Sequence, residues 1–225
     1  MESKVIFISG IDTNVRKTYA TGVLARSLAA QGKTVITQKM IQTGYESISE
    51  DIEMHRRLMG IPLLYEDLDG TTCPYLFHYP CSPHMAAGME GKKIDPAYIT
   101  VKTNLLKERY NYVLLEGAGG LMVPLDFKRL TIDFVVAEHY PLVLVTSGKL
   151  GSINHTLLSL FACREYGMQV PAIIYNRYPQ VDKTIEDNTF EYLKHYISNN
   201  CPDTQLLILP EETEDSKTVL EDLWF

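Results

Sequence analysis

The chain has 225 residues, of which 45% are hydrophobic and 22% charged, and a net charge of −7. This is the composition of an ordinary soluble globular chain, long enough to bury a core without disulfide or metal staples. The acidic balance argues against a nucleic-acid binder, which needs a basic face, and no apolar run reaches the roughly 18 residues of a membrane-spanning helix.

The first strand is read at residues 5–9 (VIFIS), a short apolar run that ends at Gly10. A helix follows over residues 17–31 and stops at Gly32, a good residue for a helix end. A second strand starts at residues 35–37 and runs toward Lys39, and residues 51–59 read as a helix ending at Gly60-Ile61-Pro62. Residues 95–110 have the length of a crossover helix. Further strands are expected at 112–116 (YVLLE), 141–147 (PLVLVTS), 172–176 (AIIYN) and 206–209 (LLIL). Helices are expected at about 152–166, at 184–197 and, closing the chain, at 216–223. Alternation of this kind predicts one α/β domain over residues 1–225, with about seven mostly parallel strands in a single layer and helices on both faces.

Sheets of that type bind ligands at the carboxyl ends of their strands. The polar and glycine-rich segments fall there, at residues 10–18, 39–44, 116–120 and 148–154 and at Asn176. The segment GIDTNVRKT (10–18) joins the first strand to the first helix and ends in Lys-Thr. Such a loop cradles phosphates with backbone N–H groups at a helix N-terminus. Lys17 would neutralise phosphate charge, and the Thr18 hydroxyl would hold Mg²⁺. The strict G-x-x-x-x-G-K-[ST] pattern is not met, because Ile11 and Arg16 stand in the two glycine slots. The four cysteines (Cys73, Cys81, Cys163, Cys201) have neither C-x-x-C nor zinc-finger spacing. With no secretion signal at the start, reduced thiols and a cytoplasmic location are expected.

The motifs resemble the dethiobiotin synthetases, members of the phosphate-loop NTPase superfamily. Gly10, Asp12, Thr13, Val15, Lys17 and Thr18 match that family's variant loop, and KMIQTG (39–44) is similar to its Lys-Pro-Val segment. CSPH (81–84), EGAGG (116–120) with Pro124, and KLGSINHTLL (149–158) follow in family order. The resemblance implies a homodimer that uses diaminononanoate, CO₂ and ATP with Mg²⁺ as cofactor. It implies Lys39 and Lys17 as catalysts. Asp12, Thr13, Asn14, Val15, Arg16, Lys17, Thr18, Tyr19, Asp51, Glu116, Gly117, Ala118, Gly119, Asn176, Arg177 and Pro210 would bind nucleotide. Thr18, Asp51 and Glu116 would hold the metal, and Thr43, Gly151, Ser152, Ile153 and Asn154 the organic substrate.

Plainer readings stand beside these. Lys39 could be a solvated strand-end lysine, Asp51 a helix N-cap, and Asn154 a cap of its own helix. His84 and His155 read as packed or hydrogen-bonded structural histidines, and Tyr192 as a core tyrosine. Arg16 puts a side chain where a glycine lets backbone approach phosphate, and is expected to clash with the nucleotide or deform the loop, its charge compensating in part. Arg177 stands where the family has a small or acidic residue. The alternatives are a partition-type switch ATPase and a relative in which Arg16 weakens nucleotide binding.

Overall fold

The computed structural model describes residues 3–178, 182–211 and 220; the closing helix expected at 216–223 lies outside the described residues, Leu220 apart. The first strand, β1 (Lys4–Gly10), is apolar on both faces because it is buried on both. Val5 and Phe7 point into one core cluster and Ile6 and Ile8 into the other. A sheet covered on two sides asks for this continuous hydrophobicity rather than alternation.

The helix α1 (Lys17–Ala30) follows, then β2 (Val35–Lys39) and a two-residue strand β3 (Gln42–Thr43). Next come α2 (Glu50–Met59), α3 (Tyr65–Leu68), β4 (Leu76–Phe77), α4 (Pro83–Met89) and α5 (Pro96–Lys107). The chain continues through β5 (Tyr112–Glu116), α6 (Thr131–Ala137), β6 (Leu142–Ser147) and α7 (Ser152–Glu165). The last elements among the described residues are β7 (Ala172–Asn176), α8 (Lys183–Asn200) and β8 (Gln205–Leu209).

The main sheet is wholly parallel, in the order β2-β5-β1-β6-β7-β8. Among the described residues it holds six strands where about seven were expected. β3 and β4 form a separate parallel pair. These two strands, and the short helices α3, α4 and α6, carry too few residues to show a period in sequence.

The chain leaves β1 toward β2 on one side and later returns to β6 on the other. That reversal opens a crevice at the carboxyl edge, next to β1. The register brings the candidate segments to this edge: Lys39 pairs with Glu116, Gly10 with Val145, and Ser147 with Asn176. No helix among the described residues is long and apolar enough to cross a membrane.

Candidate active site

Two helices deliver the site's side chains beside the strand ends. α1 begins directly after the phosphate loop and carries Lys17 and Thr18 in its first turn. α2 is capped by Ser49, whose hydroxyl accepts from Ile52 N, and is closed by Gly60 in the left-handed region at φ 70°. Asp51 is therefore not the cap; it sits in the first turn, where the helix dipole favours a carboxylate. Gly22 lets α1 and α2 come together, since a Cβ there would lie 2.5 Å from Leu58 Cδ1.

The approach of the two helices brings four side chains into contact. Thr18 donates to Asp51 Oδ1 at 2.8 Å, and its hydroxyl lies 3.3 Å from Glu116 Oε1. Lys39 Nζ bridges both carboxylates, 2.5 Å from Asp51 Oδ2 and 2.8 Å from Glu116 Oε1, and also donates to Gly117 O. Lys39 is 5% exposed and Glu116 0%, so neither is a solvated strand-end residue. Burial opposes the charge on Lys39, but Glu116 and Asp51 outweigh it and hold its pKa above the ordinary lysine value. Burial likewise opposes ionisation of Glu116, and Lys39 with His55 outweighs it, so the carboxyl is held well below its usual range. Lys17 is pushed the other way, below its ordinary value, by burial and by the charge of Lys39. Its Nζ lies 3.4 Å from Asp12 O.

Lys17, Thr18, Lys39, Asp51 and Glu116 line a cleft of ≈ 530 Å³ together with Thr13, Asn14, Arg16, Tyr19, Thr43, Ala118 and Gly119. The candidate metal set fits Mg²⁺ chemically. It consists of a hydroxyl and two carboxylates, all oxygen, and the carboxylates already share one cation, the Lys39 ammonium. No group of three His, Cys, Asp or Glu side chains suited to a metal occurs among the described residues, so Thr18 is needed to complete the set.

The phosphate loop is tied to the β7 end at two points. Asn176 Nδ2 donates to Val15 O at 3.3 Å and to Tyr178 O at 2.7 Å, while its Oδ1 accepts from Tyr178 N. Asn176 thus spends its amide on the chain itself here. Arg16 has φ 68° and ψ 38°, a left-handed conformation that suits glycine. Asn14 is also left-handed, at φ 57°. The Arg16 guanidinium lies over the rings of Tyr19 and Tyr178, at 4.3 and 4.7 Å from their centroids. Val15 is packed beneath the loop rather than facing the cleft. Asp12 accepts from Thr13 N and shapes the turn. Gly117 lies against Phe7, where a Cβ would come within 2.7 Å of the ring.

Asn176 and Arg177 line a second, smaller cavity of ≈ 180 Å³ with Ser147, Gly148 and Tyr178. Arg177 faces Phe190 at 4.7 Å and pairs with Glu186. Pro210 follows Leu209, the register partner of Asn176. Gly151, Ile153 and Asn154 line a third, apolar groove with Leu150 and Leu157. Ser152 is buried and bonded to Ser147. Asn154 is not a cap, since Gly151 holds that position without a side-chain bond. His155 and Tyr192 are exposed rather than packed, and half-buried His84 meets Phe127 edge-on.

Sequence reasoning missed His55, which is 0% exposed with Nε2 2.9 Å from Glu116 Oε2. It also missed buried Arg56, whose Nε and Nη2 donate to Asp67 and whose Nη1 donates to Thr37. His55 stands four residues after Asp51, and that helical spacing was the available signal that both share a face.

A family model described as an AAA domain matches residues 4–214. The chain is 54% identical over 209 residues to the ATP-dependent dethiobiotin synthetase BioD 2 of Haemophilus ducreyi, covering 93% of this chain and 99% of that protein. It is 60% identical over 179 residues to the protein of the same name from Haemophilus influenzae, covering 80% and 94%. Among solved structures, a putative plasmid partition protein from Borrelia burgdorferi B31 bound to AMPPNP aligns with a TM-score of 0.56 at 17% identity, covering 96% of this chain and 89% of that one. A ParA family ATPase from Chlorobium tepidum TLS aligns at 0.54 and 16% identity, covering 95% and 86%. At such identities the likeness concerns the fold alone.

Proposed function

The chain belongs to the family of ATP-dependent dethiobiotin synthetases, and on that premise we propose that it acts in biotin biosynthesis as an ATP- and Mg²⁺-dependent carboxylating cyclo-ligase. In this reading 7,8-diaminononanoate, CO₂ and ATP become dethiobiotin, ADP and phosphate. One amine adds to CO₂ and loses a proton, giving a carbamate. A carbamate oxygen attacks the γ-phosphorus and ADP leaves, giving a carbamic–phosphoric anhydride. The second amine attacks the carbonyl carbon, expels phosphate and loses a proton as the cyclic urea closes.

The observation that carries the proposal is the meeting of Lys39, Thr18, Asp51 and Glu116 in one cleft under the phosphate loop. Phosphoryl transfer needs positioned groups that neutralise spreading negative charge. Lys17 and Lys39 are two ammonium groups in the same cleft, and Thr43 offers a hydroxyl beside them. Thr18, Asp51 and Glu116 would hold Mg²⁺, which supplies charge neutralisation at the phosphates when bound. The N-terminal end of α7, at residues 151–154, would hold the substrate carboxylate through its dipole and its unspent N–H groups, the Ser152 N–H being bonded to Lys149 O. Asn176, Arg177 and Pro210 would border the nucleobase.

The chain would act as a single domain and as a cytoplasmic homodimer, with small molecules as its partners. Leu158 and Phe161 on α7, 58% and 54% exposed, are the apolar surface that favours a dimer. A second reading, a relative that binds nucleotide weakly, draws on the left-handed Arg16 in the phosphate loop. Turnover of diaminononanoate with ATP, Mg²⁺ and bicarbonate, followed as ADP and cyclic urea, tests both. Formation of both products supports the synthetase, and ADP without urea, or neither product, overturns it.

A further inference from the structure

We infer that His55 is a positioning residue that fixes which oxygen of Glu116 faces the cleft. The inference rests on the metal role proposed for Glu116. A carboxylate presents two oxygens and several lone pairs, and at Glu116 the two are divided between different surroundings. Oε1 faces the cleft, 2.8 Å from Lys39 Nζ and 3.3 Å from the Thr18 hydroxyl. Oε2 faces inward, 2.9 Å from His55 Nε2. Glu116 is ionised and accepts only, so Nε2 carries the hydrogen and donates.

His55 has little other reason to be polar. Its side chain is fully buried, and Nδ1 has no hydrogen-bond partner among the described residues. A histidine placed only to fill space would leave a buried polar atom unmatched for no return, and a leucine would pack there at lower cost. Among the described residues, the one polar contact the ring makes is the one to Glu116 Oε2.

The ring is also held still. Arg56, the next residue, donates twice to Asp67 and also to Thr37, which pins α2 against β2 and α3. Asp51 lies one helical turn before His55 on the same element. One helix therefore supplies one candidate ligand directly and orients the other through its histidine. Partners that orient a ligating carboxylate typically change metal affinity about 10- to 100-fold when removed.

The test uses Mn²⁺ as a spectroscopic probe, with its binding to the full-length protein and ADP followed by electron paramagnetic resonance. His55→Leu is expected to weaken Mn²⁺ binding about 10- to 100-fold. His55→Gln, which keeps an N–H at similar reach, is expected to restore most of that affinity. Should His55→Leu fail to fold, His55→Asn, whose amide is too short to reach Oε2, takes its place. Parental Mn²⁺ affinity in the folded Leu or Asn variant overturns the proposal. So does a loss in His55→Gln as large as in those variants at an unchanged Tm. Failure of the parent itself to bind Mn²⁺ with ADP would overturn the metal reading and this proposal with it, which separates the two failures.

Discussion

Lys39 and Glu116 are register partners on the adjacent parallel strands β2 and β5, and their side chains meet with Nζ 2.8 Å from Oε1. Residues opposite one another in a ladder share a face, so the pairing of two strand ends is what brings the ammonium and the carboxylate together. Asp51 joins them from α2. Lys39 therefore has a structural role as well as the catalytic one proposed. Lys39→Ala is expected to lower turnover by about 2.7–4 kcal/mol of barrier, the usual cost of one lost electrostatic contact. It should also destabilise the metal-free protein by about 3–5 kcal/mol, because the buried Glu116 loses its ammonium partner and keeps only His55 and Thr18 beside it. Turnover, nucleotide affinity and denaturant midpoints measured on one preparation separate the two. Near-parental turnover would remove Lys39 from catalysis.

The pH dependence of stability follows from the same pair. The Glu116 carboxyl is held below its ordinary value of 4.5, so its contribution is complete above that pH and is lost as the pH falls through the folded-state value. Lys39 is raised above 10.5, so its contribution is complete below that pH and is lost as the pH rises through its folded-state value. The pair is therefore intact between these limits. The stability difference between the parent and Glu116→Gln should be flat from about pH 5 to 9 and should narrow below about 4.5. Denaturant titrations without metal check this, and a difference that varies steadily across the neutral range would contradict it.

Arg16 adopts φ 68°, where a side chain costs about 1–2 kcal/mol. Its stacking on Tyr19 and Tyr178 returns about 0.5–1 kcal/mol each. Arg16→Gly should therefore leave Tm nearly unchanged. Nucleotide should bind about tenfold tighter, since about 1.4 kcal/mol is one decade and the loop backbone is freed to approach phosphate. Titration calorimetry with ATP decides the matter. Binding that is lost or unchanged would make Arg16 an accommodated phosphate ligand.

Gly22 sets the spacing of α1 and α2. A Cβ at that position would lie 2.5 Å from Leu58 Cδ1 and 2.9 Å from its Cβ, so more than the tip of the leucine must move. Gly22→Ala should cost about 1–3 kcal/mol. It should also raise the Mg²⁺ concentration needed for turnover, because Asp51 is carried away from Thr18. Combining it with Leu58→Ala should relieve the overlap and recover part of the Mg²⁺ response. An unchanged Mg²⁺ requirement in Gly22→Ala would show that helix spacing does not control the site.

Leu158 and Phe161 are exposed on α7, the helix whose first residues line the groove at Gly151, Ile153 and Asn154. Sedimentation at micromolar concentration should show a dimer, and Phe161→Glu should shift it toward monomer. A parental monomer would refute the proposed assembly.

The sheet strands, the crossover helices and the phosphate loop could be read from the chain because each is a long local signal: an apolar run, a helical period, a Lys-Thr at a strand-to-helix turn. β3, β4, α3, α4 and α6 were missed because a few residues carry no period. Asp51 is legible as a candidate ligand, but its alternative as an N-cap is excluded by the structure, in which Ser49 holds that position.

By itself, the sequence determined the order of the elements, the α/β class and the residue types at the strand ends, since these follow from local hydrophobic patterning and turn chemistry. Tertiary structure alone decided that Lys39 lies between two carboxylates, that His55 meets the inner oxygen of Glu116, and that Asn176 bonds the phosphate loop. Those contacts join residues 12 to 161 positions apart, across strand register and helix packing. No local pattern encodes them, because their geometry is set by how the two buried faces of the sheet close.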